Sequence, residues 1–356
     1  MKNSVPEHPR LIDIARLANV SLGTVDRVIH NRGRVSQETK DRVNDAIKNI
    51  DYKPNVAAQM LSLRKKRIIG ILVPDFETGD YWEDVEKGIT RIETEMIDYG
   101  FVIERFHFDR NSSSSFKDQI EAIRGRDDID GLVISPQYKD ISIDFSQYLN
   151  EKNIPFVFID SNIEGCNQLS YFGIHSYKAG YILAKLLIDS LNSEEHILIV
   201  NLHQTQNKRA TQVDIIDAGF SDYIVNSGHK GELHKIDLVL ANPAWEEELF
   251  DYFTSHQRIK GVAIFNSQTF QLAKFVAEKQ IPDIKIVGFD LIKKNLDYLK
   301  EGYIKYLISQ RPDSQGYHSI KTLCNYIAFS TPVQEANFMP IDIIIAENIE
   351  FYQCLI

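Results

Sequence analysis

The sequence predicts an all-α headpiece followed by a larger α/β body. Three observations carry that expectation. Apolar residues recur at helical spacing between Leu11 and Ile50. From Arg67 onward, apolar runs of strand length alternate with longer amphipathic stretches, the pattern of βα units around parallel sheets. The charge divides at the same place: residues 1–67 hold 14 Lys and Arg against 7 Asp and Glu, a net of +7, while the whole chain carries −10. A basic headpiece on an acidic body suits a nucleic-acid contact confined to one end.

The first helix is expected from Leu11, with Ile14, Ala15, Leu17 and Ala18 at helical spacing and Arg10 in the cap position. Asn19 tolerates the left-handed conformation that ends a helix. Ser21 is a good N-cap for a second helix carrying Val25, Val28 and Ile29. Two helices joined by so tight a turn form a helix-turn-helix, whose second helix enters the DNA major groove. Ser36 caps a third helix with Val43, Ala46, Ile47 and Ile50 on one face, stopped at Tyr52-Lys53-Pro54. Residues Asn55 to Ser62 form a short helix candidate with the small Ala57 and Ala58, and a helix of that length is unstable alone in water. Arg64-Lys-Lys-Arg67 reads as a basic linker.

In the body the expected strands are Ile68–Pro74, Phe101–Phe108, Gly131–Ser135 and Phe156–Asp160. His196–Asn201, Leu233–Val239, Gly261–Phe265, Ile284–Asp290 and Tyr306–Gln310 follow as a second set. Helices fill the gaps, among them Tyr81–Tyr99, Lys178–Leu191 and Phe270–Lys279. Ser112–Ser115 reads as a loop before Phe116, and internal sequence repeats are not evident.

A chain of 356 residues with 43% hydrophobic and 25% charged residues has material for two or three domains of an ordinary soluble protein. The N-terminus has no apolar run and is not read as a secretory signal, and no stretch approaches the ~20 apolar residues of a membrane span. Cys166, Cys324 and Cys354 lack CxxC spacing and are expected as buried thiols in a reducing compartment, which places the protein in the cytoplasm. No metal or cofactor is expected. The GxSxG, P-loop, HExxH and strand-linked GxGxxG signatures are lacking, so the sequence gives an enzyme little support.

The order Asp13-Ile-Ala, Ala18-Asn-Val-Ser21, Thr24-Val-x-Arg27-Val, Val35-Ser36, Thr39, Arg42-Val43, Tyr52-x-Pro-Asn55 and Ala58-x-x-Leu61 resembles the lactose-repressor (LacI/GalR) family of bacterial regulators. The match covers the headpiece and is specific, because many residue types recur at fixed spacings. The resemblance implies a headpiece over 1–54, a hinge helix and linker over 55–66, and an effector-binding and dimerisation domain over 67–356. It implies that Leu22, Gly23 and Arg27 touch base edges and that Thr24 and Asp26 meet the backbone. Arg27 is the strongest of these, since a guanidinium grips guanine O6 and N7 with two bonds. Asp26 stands where relatives usually place Ser, and a pairing with Arg27 or Arg16 is the expected compensation. His30, Arg34 and Ser36 are further DNA-contact candidates; His30 is equally readable as a solvated loop residue, and Arg32 and Arg34 flank Gly33 in a turn toward phosphate. Asn55, Ala58 and Leu61 would belong to a hinge helix that forms on operator DNA and wedges Leu61 into the minor groove.

The exits of the fourth and eighth strands, Ile159-Asp-Ser-Asn-Ile163 and Gly288-Phe-Asp-Leu291, resemble the lactose-repressor body and periplasmic sugar-binding proteins. That fold implies two lobes joined by three crossovers, here near Ser161–Ile163, Gln310–Arg311 and Thr331–Pro332. The lobes would comprise about 67–161 with 311–331, and about 162–310 with 332–356. Ligands of such folds sit at the carboxyl ends of the strands. That criterion selects Asp75, Phe76, Asp160, Ser267, Asp290 and Gln310, with Tyr81 and Trp82 as a stacking pair for the apolar face of a sugar. Many sugar-binding relatives carry Arg in an Arg-x-x-Gly-Phe pattern; Ile216 holds that place before Gly219-Phe220, leaving Lys208 or Arg209 as the substitute cation.

The expected function is a homodimeric, sequence-specific DNA-binding transcriptional regulator acting as a repressor on palindromic operators. A small effector, a sugar or sugar derivative, would be its other partner. The alternative is a solute-binding sensor whose headpiece binds DNA weakly or not at all.

Overall fold

The computed structural model describes residues 11–29, 33, 35–50, 66–204 and 211–353. The expectations for Arg10, His30, Asn31, Arg32, Arg34, the Tyr52–Pro54 stop, Asn55, Ala58, Leu61, Lys208, Arg209 and Cys354 lie outside those residues. The chain divides into a headpiece and a body, with the body starting at Lys66.

In the headpiece α1 (Leu11–Leu17), α2 (Leu22–Ile29) and α3 (Gln37–Asn49) surround a core of Ile14, Ala15, Ala18, Val25, Val43, Ala46 and Ile50. Asn19 adopts a left-handed φ of 52° and releases the chain from α1. The Ser21 hydroxyl accepts the Thr24 N–H at 3.2 Å, and the Ser36 hydroxyl accepts the Thr39 N–H at 3.3 Å. Each cap satisfies a backbone donor that the helix itself cannot. Helix α3 stops at Asn49, because Ile50 leaves helical geometry at φ −108° while its side chain stays in the core. Leu17 is exposed, so the apolar stripe of α1 is narrower than its sequence suggests.

The body opens with β1 (Arg67–Pro74), α4 (Tyr81–Met96), β2 (Phe101–Phe108), α5 (Ser113–Arg124), β3 (Ile129–Ile134), α6 (Lys139–Glu151), β4 (Phe156–Ile159) and β5 (Ser170–Gly173). It continues through α7 (Ser176–Ile188), β6 (His196–His203), α8 (Thr211–Asn226), β7 (Leu233–Val239), α9 (Trp245–Ser255), β8 (Ile259–Ala263), α10 (Thr269–Glu278), β9 (Lys285–Phe289), α11 (Lys293–Lys300) and β10 (Ile304–Ser309). Then α12 (Pro312–Phe329), β11 (Ala336–Phe338), β12 (Asp342–Ile344) and α13 (Ile349–Gln353) follow. Two six-stranded sheets result, in the orders β11-β5-β4-β3-β1-β2 and β12-β10-β9-β8-β6-β7. Every pairing is parallel except β10 with β12.

Along β6 the pleat sends Leu198, Val200 and Leu202 into one core and Ile197 and Ile199 into another on the opposite face. A strand covered on both faces reads as a continuous apolar run, as observed here.

Three short strands escape the sequence pattern, namely β5, β11 and β12. β11 and β12 are three residues each, too brief for a periodicity to register, and β5 opens on Ser170 and ends on Gly173, which leaves no apolar run like that of β4. Their presence moves two crossovers. The chain leaves the first sheet after Gly173 rather than near Ser161–Ile163, and Ile174 already packs in the second lobe's core. It returns through Gln310–Arg311 into α12, which packs on the first sheet. It leaves again between Phe338 and Asp342 rather than at Thr331–Pro332, with Met339 and Ile341 packed on the second lobe. Ser112 caps α5 by accepting the Ser115 N–H at 3.2 Å, so the serine run opens a helix and is not a loop.

The two lobes repeat one another in fold without a sequence repeat. In each, the helix after the first strand crosses the last helix entering that lobe through a pair of glycines. A Cβ on Gly88 of α4 would lie 1.9 Å from the Asp313 carbonyl oxygen, and one on Gly316 of α12 would lie 2.4 Å from that of Val85. In the second lobe, Cβ atoms on Gly180 of α7 and Gly219 of α8 would each lie 1.9 Å from a carbonyl oxygen, of Ile216 and Tyr177. Backbone against backbone leaves nothing flexible to move aside. Gly180→Ala is therefore expected to destabilise the body by about 1–3 kcal/mol, read as a lower urea midpoint with unchanged slope.

Candidate functional site

In the headpiece, α2 presents Leu22 and Gly23 at its start and Arg27 in its last turn to solvent, with Thr24 and Asp26 partly covered. Val25 faces inward and is fully buried, which fixes the rotation of the helix. Leu22 stays 51% exposed, an apolar side chain the headpiece core does not use. Arg16 lies 3.8 Å from Asp13, so an Arg16 pairing with Asp26 has a competitor inside α1. The Arg27 stem runs past Gly33, where a Cβ would lie 3.6 Å from Cδ. Ser36 spends its hydroxyl on the α3 cap and on Thr39 Oγ1, at 2.8 Å.

In the body the strand ends converge on the seam between the two sheets. Asp160 follows β4 and Asp290 follows β9, in matching positions of the two lobes. Both take left-handed backbone, φ 65° and 70°. Each N–H reaches the neighbouring strand, Asp160 to the Phe172 carbonyl at 3.1 Å and Asp290 to that of Ile308 at 2.9 Å. Both carboxyls are buried, at 8% and 5% exposure.

A chain of amides ties the lobes together beneath them. Gln310 Nε2 donates to Asp290 Oδ1 at 2.9 Å, and Gln212 Nε2 donates to Gln310 Oε1 at 3.0 Å. The Ser161 hydroxyl donates to Asp160 Oδ2 at 3.2 Å and to Gln212 Oε1 at 3.4 Å. Gln315, fully buried in α12, accepts the Asp160 N–H at 2.9 Å and donates to the Gln310 carbonyl at 2.8 Å and the Tyr81 hydroxyl at 3.2 Å. Such a connected network is costly to leave partly satisfied.

Burial raises the Asp160 carboxyl to about 6, against hydrogen bonds from Ser161, Tyr81 and Gln137. Burial also raises Asp290 to about 7, opposed by the Gln310 amide and reinforced by Asp160, Asp80 and Asp84. The Tyr81 phenol is pushed well up by burial first and then by Asp160 and Asp290.

The strand-end residues fall into separate places. Tyr81, Asp290 and Gln310 border a cavity of about 30 Å³ with Ser309, Arg311 and Pro312, enough for about one water. Asp75 and Phe76 line a larger open cleft of about 620 Å³. Phe76 packs on His107 with centroids 5.8 Å apart. Trp82 is 5% exposed and packs edge to face on Tyr81 at 5.3 Å, so the pair contact one another. Asp160, Trp82 and Ser267 border neither cavity, whereas Gln268 and Phe270, just past Ser267, line the cleft.

The cleft also takes residues the sequence reading passed over, namely Asp80, Arg110, Asn111, Lys293 and Lys294. Arg110 lies two residues beyond β2 and pairs with Asp80 at 3.3 Å. The strand-end criterion extended to β2 would have found it. Ile216 is buried in the second lobe's core and cannot face the cleft, so Arg110 and the two lysines are the cleft's cations among the described residues.

A basic three-helix headpiece followed in the chain by a two-lobed body, whose strand ends frame a cleft, is the architecture of a helix-turn-helix protein with a binding-protein-like body. Residues 10–55 match the family described as bacterial regulatory proteins, lacI family, and residues 69–331 match the periplasmic binding protein domain. The ribose operon repressor of Bacillus subtilis is 30% identical over 293 residues, 80% of this chain and 82% of that one. The regulator RegA of Clostridium acetobutylicum is 30% identical over 181 residues, so that alignment spans about half of each chain, 51% and 52%. Among solved structures, a Bacteroides fragilis protein assigned to the LacI transcriptional regulators superposes with TM-score 0.77 at 30% identity, covering 81% of this chain and all of that one. A glucose-galactose binding protein of Geobacillus stearothermophilus shares the body fold, with TM-score 0.70 at 20% identity, covering 80% of this chain and 99% of that one. The chain belongs to the LacI family of bacterial regulatory proteins. No helix among the described residues is long and apolar enough to cross a membrane.

The buried carboxyls set a pH dependence. A carboxyl raised on folding contributes most while both states are protonated, and that contribution is lost as pH climbs from 3.8 to about 7. Asp290→Asn should flatten the fall in body stability between pH 5 and pH 8 by on the order of 2 kcal/mol. Thermal unfolding of both proteins across that range checks it; an unchanged slope would remove Asp290 as the source.

Proposed function

We propose that the protein is a homodimeric repressor that binds a palindromic operator through α2 and responds to a small polyhydroxylated effector in the cleft. The single observation that carries this reading is the headpiece. A lacI-family match over residues 10–55 coincides with a helix whose exposed face holds Leu22, Gly23 and Arg27. Its basic charge supports phosphate binding, and the acidic body disfavours contact elsewhere on the duplex. Two-fold protein symmetry imposes a two-fold operator. A hinge helix over Asn55–Leu61 joins the reading by family resemblance, with Leu61 as the minor-groove wedge.

The effector is proposed as a sugar because the cleft combines carboxylates, amides and cations with Phe76 and Phe270, the set that addresses hydroxyls and an apolar ring face. The relative named as a ribose operon repressor supports the same class. An effector that prefers one lobe arrangement must shift operator affinity, and the operator must shift effector affinity by the same factor.

The test is binding of the full chain to fragments of its own upstream region across a salt series with a panel of sugars. Arg27→Ala should weaken operator binding about 10- to 100-fold, the loss of one bidentate base contact. Arg110→Ala should leave sugar-free operator binding intact and blunt release by the effective sugar. Specific binding that no sugar alters would keep the regulator and reject the sugar. Ligand binding without specific DNA binding would favour a sensor with an inactive headpiece.

A further inference from the structure

At the outer side of the second sheet, away from the cleft residues, lies a group of side chains that the regulator reading does not use. His196 opens β6, and Glu232 and His234 bracket the first residue of β7. The parallel register pairs Leu198 with His234. The pleat therefore puts His196, Glu232 and His234 on one face, the face of Leu198 that packs toward α9. His196 Nδ1 stands 3.0 Å from His234 Nε2, and Glu232 Oε2 lies 4.0 Å and 3.5 Å from those two nitrogens.

We propose that His196, Glu232 and His234 form a binding site for a zinc-class divalent transition metal ion. Zinc takes imidazole nitrogen at about 2.0–2.1 Å and carboxylate oxygen at about 2.0–2.2 Å, which sets tetrahedral ligand atoms roughly 3.3 Å apart. The three donor separations bracket that value, and all three atoms lie within 4.8 Å of one another.

The surroundings fit a ligating histidine. His234 Nδ1 lies 3.2 Å from the Tyr252 hydroxyl of α9, the kind of outer partner that fixes a ligand's tautomer and ring orientation. His256 stacks on Tyr252 at 4.4 Å and turns its own Nδ1 to the Tyr252 carbonyl, so it buttresses the site without entering it. Glu232 is 74% exposed, which leaves a coordination position open to water. The ion would clasp the sheet-edge strand β7 to β6, and through Tyr252 to α9.

The test uses the full chain without a polyhistidine tag, stripped of metal and titrated with zinc sulfate against a chromophoric chelator at pH 7.5. One ion per chain is expected at a site that the H196Q/H234Q double variant loses. Because the chain holds ten histidines in all, the difference between wild type and variant is the readout. Tyr252→Phe keeps the ring and should weaken binding about 10-fold. Zinc should raise the body's thermal midpoint in the wild type and not in the double variant. Equal zinc binding by both proteins, or none by the wild type, overturns the proposal. Should the double variant fail to fold by circular dichroism, Glu232→Gln at its exposed position decides: a loss of at least about 10-fold supports the site, and unchanged affinity rejects it.

Discussion

Two carboxyl groups held out of water where the lobes meet are the constraint from which much of the body follows. Asp160 and Asp290 occupy the ends of equivalent strands, in a backbone conformation that side-chain-bearing residues adopt at a cost. Burial of such groups is tolerated only where hydrogen bonds replace the lost water. Ser161, Tyr81 and Gln137 supply those bonds to Asp160 and Gln310 supplies one to Asp290, while Gln212 and Gln315 brace these donors and the backbone around them. A relative movement of the lobes must break or exchange some of these amides.

The second constraint is the close approach of helices. The α4–α12 and α7–α8 crossings put carbonyl oxygens where a Cβ would stand at Gly88, Gly316, Gly180 and Gly219. Each lobe is therefore built around a rigid helix pair, and one member of each pair is the helix that the chain enters after changing lobes. Rigid lobes with a polar, hydrogen-bonded seam suit a device with discrete arrangements, because packed cores do not deform continuously.

Much of this was legible in local sequence. Long strands such as β2 and β7 declare themselves through uninterrupted or alternating apolar runs, and the headpiece through caps at Ser21 and Ser36 and the left-handed Asn19. The short β5, β11 and β12 were not legible, and two crossovers were misplaced with them, since three residues hold less than two periods of the strand alternation and β5, flanked by Ser170 and Gly173, shows no apolar run. The fold repeat was hidden for a related reason: glycine pairs and strand order carry it, not similar side chains. In the cleft, the strand-end rule led to Asp75 and Phe76 but not to Arg110 or Gln268, which stand a residue or two further along, while Asp290 and Gln310 border the small cavity beside it.

The sequence by itself determined the longer elements and the family, because caps, turns and apolar periods act within a few residues of one another and the headpiece motif is contiguous. It also determined which residue types wait at the strand ends. Only the tertiary structure decided which of them meet. Gln315 joins Tyr81 across a separation of 234 positions, Gln212 reaches Gln310, and His196 comes to lie beside His234 through strand register. Hydrogen bonds and metal geometry depend on distances of a few ångströms, and those are set by how sheets and helices pack rather than by order along the chain.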